Sequence, residues 1–145
     1  MKFLLIPLVA LFVNQLIKFI VQIWRKKKYL GNRIIWSLVW VGAFPSAHSA
    51  VLASCVYLIW LFQGFGPLFG FSVFVSIIII YGLLEDKKRQ VLWEQYFEKR
   101  RDVTIAKIVD TQVLIDFSGH TIVDIICGAL LGLITAILLI NYFHL

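Results

Sequence analysis

The chain has 145 residues, 61% of them hydrophobic and only 15% charged, a composition too apolar for a domain whose surface faces water. At about 1.5 Å of rise per residue across about 30 Å of hydrocarbon, the length holds four helical spans and their connections, so residues 1–145 read as a single integral membrane domain. The net charge of +6 raises nucleic acid as a partner, but the basic residues flank apolar runs in the positive-inside pattern, and no nucleic acid is expected.

The first apolar run extends from Phe3 to Trp24, is interrupted by Asn14, Gln15 and Lys18, and is closed by Arg25, Lys26, Lys27 and Lys28. Its start imitates a signal peptide, yet bulky and polar residues follow Val13 where a small-residue cleavage site should stand, so it is expected to remain as span one. A second run, Ala47 to Phe62, begins after Pro45 and ends at a turn containing Gly64, Gly66 and Pro67. Cys55 here and Cys127 further on lie in apolar runs and supply no disulfide framework. Span three, Leu68 to Leu84, is expected to end at Glu85.

Residues Glu85 to Ser118 carry seven basic and seven acidic residues, with Leu92, Trp93, Tyr96 and Phe97 at helix-like intervals. The pattern predicts a surface-lying helix or helical hairpin. The last run, Thr121 to Tyr142, contains Asp124 and a small-residue pair, Gly128 and Gly132, suited to close helix packing and permitting homo-oligomers. The expected fold is all-α: a polytopic membrane helix bundle of about four transmembrane helices with one cytoplasmic helical segment. Five basic residues in 25–33 and seven in 85–118, against none in the glycine turn, put both charged connections in the cytoplasm and both termini outside.

Polar groups inside spans are expensive and face a partner or a cavity. Lys18 lies about two turns from the basic end of span one, where its stem could simply snorkel to the headgroups. At the same membrane face Pro45-Ser46-Ala47-His48-Ser49 opens span two. Ser46 is a natural N-cap, and unpaired amides with the positive end of the helix dipole attract anions such as phosphate. Capping explains Ser46 but leaves His48 without a reason in an apolar helix. Ser118-Gly119-His120-Thr121-Ile122-Val123-Asp124 opens span four. On a helix, His120 and Asp124 would share a face, so the carboxylate could orient the imidazole, as in a nucleophile relay or in a purely structural His-Asp pair. Charge-derived topology brings Lys18, His48, His120 and Asp124 to one face. His48 and His120 lack the closely spaced further ligands of zinc sites, and no metal or cofactor is expected. His144, at the opposite end, is assigned no role.

In Gln15-Leu16-Ile17-Lys18, Pro45-Ser46-Ala47-His48-Ser49-Ala50 and Ser118-Gly119-His120 with Asp124 and Gly128, the chain resembles the divergent short branch of the type 2 phosphatidic acid phosphatase superfamily, related to the vanadium-dependent haloperoxidases. The resemblance implies a metal-independent phosphatase or pyrophosphatase acting on a phosphorylated lipid or polyprenyl substrate among membrane lipids. His120 would attack phosphorus and form a phosphohistidine, Asp124 would orient it, and His48 would protonate the departing oxygen. Lys18, Ser46 and the amides around Ala47 would hold phosphoryl oxygens, and Arg25 keeps the superfamily's spacing from Lys18. The branch's arginine pattern after span three is altered to Tyr81-Gly82-Leu83-Leu84-Glu85-Asp86-Lys87-Lys88-Arg89, leaving Arg89 as the substitute. The implied setting is the plasma membrane, with the site at the cytoplasmic face; the alternative is a non-catalytic protein that retains the phosphate or phospholipid pocket.

Overall fold

The computed structural model describes residues 2–24, 44–100 and 120–143. They form four α-helices and, among the described residues, no strand: α1 (Lys2–Trp24), α2 (Ala47–Gln63), α3 (Pro67–Arg100) and α4 (Ile122–Tyr142). Three contain segments long and apolar enough to cross a membrane, Phe3–Val21, Pro67–Arg89 and Ile122–Tyr142. The fourth, α2, has 17 residues and rises about 25 Å, a little less than the hydrocarbon thickness.

Local chemistry sets the helix ends. Ser46, in extended backbone, caps α2 by accepting the Ser49 amide at 3.5 Å on its Oγ. At the other end Gly64 takes φ +68° and donates its N–H to the Trp60 carbonyl at 2.9 Å, a left-handed position that favours glycine. Pro67 then starts α3, where its missing N–H costs nothing.

The helix of span three does not stop at Glu85. The helix runs on through 34 residues to Arg100, about 51 Å, so its last turns project beyond the bilayer. The change from apolar to charged residues marks the membrane surface, not a break: 85–100 contains no Gly or Pro, and Glu, Lys, Arg and Gln are good helix formers. An exposed Lys88–Glu85 pair at 2.9 Å, three residues apart, adds modest support. The rest of the expected cytoplasmic segment, 101–119, lies outside the described residues.

Helices α2 and α4 pack face to face. A methyl group at Gly128 would fall on the Ser46 carbonyl and the Ser49 hydroxyl, and one at Gly132 on the backbone of Ala50, so these glycines let the two backbones touch. Helix α1 lies across both, and α3 leans on α2. Ile6, Leu58, Ala136 and Ile140 form a small buried cluster with Tyr57 and Leu139 against it. Large apolar side chains such as Leu4, Phe12, Ile20, Phe71 and Leu138 point outward, while Asn14, Lys18, Ser54, His120 and Thr135 are buried. That inversion of the water-soluble pattern suits hydrocarbon as solvent, and the chain is an integral membrane protein.

Candidate functional site

One stripe of α1, at steps of four residues, faces the bundle: Ile6, Ala10, Asn14 and Lys18 are all buried. Its lower half is apolar and its upper half polar, so the register that packs Ile6 into the core also carries Lys18, 5% exposed, to the N-terminal end of α2. Asn14, wholly buried, donates through Nδ2 to the Ser46 carbonyl at 3.4 Å. The same carbonyl accepts the Ser49 hydroxyl at 3.1 Å, and the Ser46 amide donates to the Asp124 carbonyl at 3.0 Å. Through Ser46, therefore, α1, α2 and α4 are tied at one point.

The two histidines meet above it. His48 stands exposed on the first turn of α2, while His120 is only 4% exposed. Their rings approach edge to face, with centroids 5.9 Å apart and planes at 63°. His120 is fixed from the third side by its amide, which donates to the Leu83 carbonyl of α3 at 3.2 Å. Burial, followed by the nearby His48 and Lys18, pushes the His120 imidazole down to about 4, Asp124 acting weakly in the opposite sense. It is thus neutral at physiological pH, with lone-pair electrons available.

Asp124 takes a different part from the stacked arrangement expected for residues four apart. Helix α4 begins at Ile122, so His120 stands outside it and the two do not share a helix face. Instead, Asp124 and the N-cap Thr121 form a capping box: Asp124 Oδ2 accepts the Thr121 amide at 2.8 Å, and Thr121 Oγ1 accepts the Asp124 amide at 3.2 Å. His120 Nδ1 is buried with no hydrogen-bond partner. The signal was present in the sequence as Thr-x-x-Asp before an apolar run.

The remaining expected groups divide. Ser46 is fully buried and engaged as a cap on the Ser49 amide, which leaves the Ala47 and His48 amides at the start of α2 as the anion-binding groups. Arg25 lies outside the described residues. Arg89 is exposed and does not line the cavity beside His120; Lys87 does. Because Leu83 holds the His120 backbone, the position four further along α3 overlies it, whereas 89 is turned well round the helix. That cavity, about 700 Å³, is bounded by Leu84, Lys87 and Leu92 of α3 and by His120, Thr121 and Ile122. Lys87 also lies close enough to help hold the His120 imidazole neutral.

The arrangement is a neutral buried imidazole and an exposed one, with the buried ammonium of Lys18 and a second lysine around a helix start. Such a cluster suits a tetrahedral oxyanion, with cations and amides to stabilise charge on a transferring group. Among the described residues no group of three or more His, Cys, Asp or Glu side chains is placed to hold a metal ion. Residues 1–135 match the family described as Divergent PAP2 family. No curated protein and no solved structure matches the chain at a significant level.

Proposed function

The chain belongs to the Divergent PAP2 family, a phosphatase-related family, and from that premise we propose that it hydrolyses a phosphate or diphosphate ester of a lipid-like substrate, without a metal, through a phosphohistidine on His120. The observation that carries this reading is the 5.9 Å approach of the His48 and His120 rings beside the buried Lys18. Rings at that separation touch edge to face, so the phosphoryl group would lie beside the pair, reached by one nitrogen of each ring, with attack from roughly 3–3.5 Å and a proton-donating hydrogen bond of about 2.8 Å.

In this reading a nitrogen of His120 attacks phosphorus as the bond to the lipid oxygen breaks, and His48, protonated, delivers its proton to that oxygen. Water then attacks the phosphohistidine, with His48 accepting a proton. Lys18, Lys87 and the first amides of α2 hold the phosphoryl oxygens while charge spreads over them. Exposure allows His48 to exchange protons with water; burial keeps His120 an unprotonated nucleophile. The plasma membrane and its cytoplasmic face are the proposed setting, by the positive-inside rule.

A second reading has one specific observation in its favour. With Asp124 engaged at Thr121 and His120 Nδ1 unpartnered, the pocket has its anion-binding cations but not the histidine-carboxylate bond that orients a nucleophile, as a non-catalytic phospholipid-binding protein would. Phosphate release decides between them. Purified protein given phosphatidate, phosphatidylglycerol phosphate and polyprenyl diphosphates in chelator should release phosphate at a rate that His120→Ala abolishes. Equal rates for the two proteins across that panel, with lipid binding weakened by Lys18→Ala, would select the binding protein.

A further inference from the structure

Among the described residues, three buried side-chain atoms lack a hydrogen-bond partner: Asn14 Oδ1, Gln15 Oε1 and His120 Nδ1. Two of them are amide oxygens of α1, at the positions four and three residues before Lys18, which are its neighbours on the helix surface. The Asn14 amide is not free to turn its oxygen elsewhere. The Ser46 carbonyl can only accept, so the Nδ2 end faces it at 3.4 Å and Oδ1 is the end left over. An acceptor shut away from water without a donor is costly.

Lys18 has the opposite need. Its ammonium carries three donors and no acceptor, and the residue is buried. Asp124, the carboxylate near enough to act on it, already accepts the Thr121 amide on Oδ2. Side chains on a helix lean towards its N-terminus, over the preceding turn, which is where Asn14 and Gln15 stand. That is also the level of the anion site, because Asn14 reaches the carbonyl of Ser46, and the same peptide unit carries the Ala47 amide on its opposite side.

We propose that Asn14 and Gln15 are positioning residues for the anion site: their amide oxygens accept two of the Lys18 N–H groups and hold the ammonium at the start of α2, with the third N–H left for a phosphoryl oxygen. The inference rests on the reading of that site as one for phosphate. Neither residue touches the substrate, and each acts through Lys18. An ammonium held in this way loses little freedom when the anion arrives, whereas an unheld one swings out to the lipid headgroups on its flexible stem.

The test is vanadate binding to the full chain in nanodiscs, read by calorimetry, which needs no turnover. Asn14→Leu and Gln15→Leu, which remove the oxygen at similar size, should each weaken binding by roughly tenfold to a hundredfold. Introduced into Lys18→Met, the same changes should alter it by less than about twofold, since no ammonium is left to hold. Should Asn14→Leu fail to fold, Gln15→Leu, at a less buried position, carries the same comparison. Leu16→Ala, on the exposed side of α1, should leave binding unchanged. An equal loss with and without Lys18 is what mere packing, or action through Ser46 alone, would give, and it would overturn the proposal.

A structure of the wild type with vanadate needs no variant. Lys18 Nζ should lie about 2.7–3.2 Å from both amide oxygens; an ammonium turned out to the headgroups would contradict the assignment. Coupling to Lys18 in a protein that releases phosphate from no lipid would support the positioning role while the hydrolytic reading fails. Phosphate release without coupling would do the reverse, and a wild type that binds no vanadate would overturn the positioning role whatever the lipid assay gives.

Discussion

His48 and His120, from the starts of two different helices, hold their rings edge to face with centroids 5.9 Å apart. The contact exists because α2 and α4 touch along backbone at Gly128 and Gly132, which brings their N-terminal ends level, and because Leu83 of α3 holds the His120 amide. The site is thus a consequence of helix packing more than of any local motif.

Substituting either glycine should therefore damage both the fold and the site. Gly128→Ala meets a carbonyl and a hydroxyl, and Gly132→Ala meets backbone alone, which has less freedom to give way. Overpacking of this kind costs about 1–3 kcal/mol or more, so thermal unfolding in detergent should occur at lower temperature for both variants and lower still for Gly132→Ala. Gly70→Ala, with open space around it and a better helix former in α3, should unfold at the wild-type temperature or slightly above it.

The acid behaviour of His120 follows from its burial. The unfolded imidazole titrates near 6.5 and the folded one near 4, so between these values the unfolded chain binds more protons. Its contribution to stability is complete above about pH 6.5, falls as the pH drops towards about 4, and is constant below that. Melting temperature measured across this window should decline more steeply with acidification for the wild type than for His120→Asn. In turnover, the acid limb belonging to the nucleophile should lie near 4, not near 6.5.

Lys87, and not Arg89, should bind the anion. A charge-assisted hydrogen bond is worth about 1.5–3 kcal/mol, so Lys87→Gln should weaken inhibition by vanadate by roughly tenfold to a hundredfold. Arg89→Gln should change it less than about threefold, within the scale of exposed charge effects. Inhibition constants for the two variants, measured at one ionic strength, give the comparison directly.

Asp124 and Thr121 make the same capping box, and loss of a cap costs about 0.5–2 kcal/mol. Thr121→Ala and Asp124→Ala should accordingly lose similar stability in chemical unfolding. If the carboxylate also orients His120 when substrate is bound, Asp124→Ala should lose clearly more phosphate release than Thr121→Ala at equal stability. Equal losses of turnover would assign Asp124 to the cap alone.

Much of this bundle can be read from residue order. Apolar runs marked the helices, Ser46 after Pro45 marked the start of α2, and Gly128 with Gly132 marked a face of α4 suited to close packing, though not the helix it packs on. Charge counting also brought Lys18, His48 and His120 to one face. Two things were harder to read. The charged stretch after Leu84 signals departure from lipid, and composition alone does not distinguish that from the end of a helix; α3 continues to Arg100. The choice between Lys87 and Arg89 depends on helical phase relative to Leu83, a contact between helices that periodicity does not contain. The start of α4 at Ile122 was legible in principle, since Thr121 and Asp124 have capping-box spacing, but the attraction of pairing Asp124 with His120 competes for the same carboxylate.

The covalent step is where the central claim is most exposed. Protein mixed with a substrate carrying radiolabelled phosphate and quenched within one turnover should hold label that is stable to base and labile to acid, on the peptide containing His120, and His48→Gln should retain it when the leaving group is a good one such as p-nitrophenol. Phosphate release by the wild type with no trapped label, or label that persists in His120→Ala, would contradict a phosphohistidine at this position.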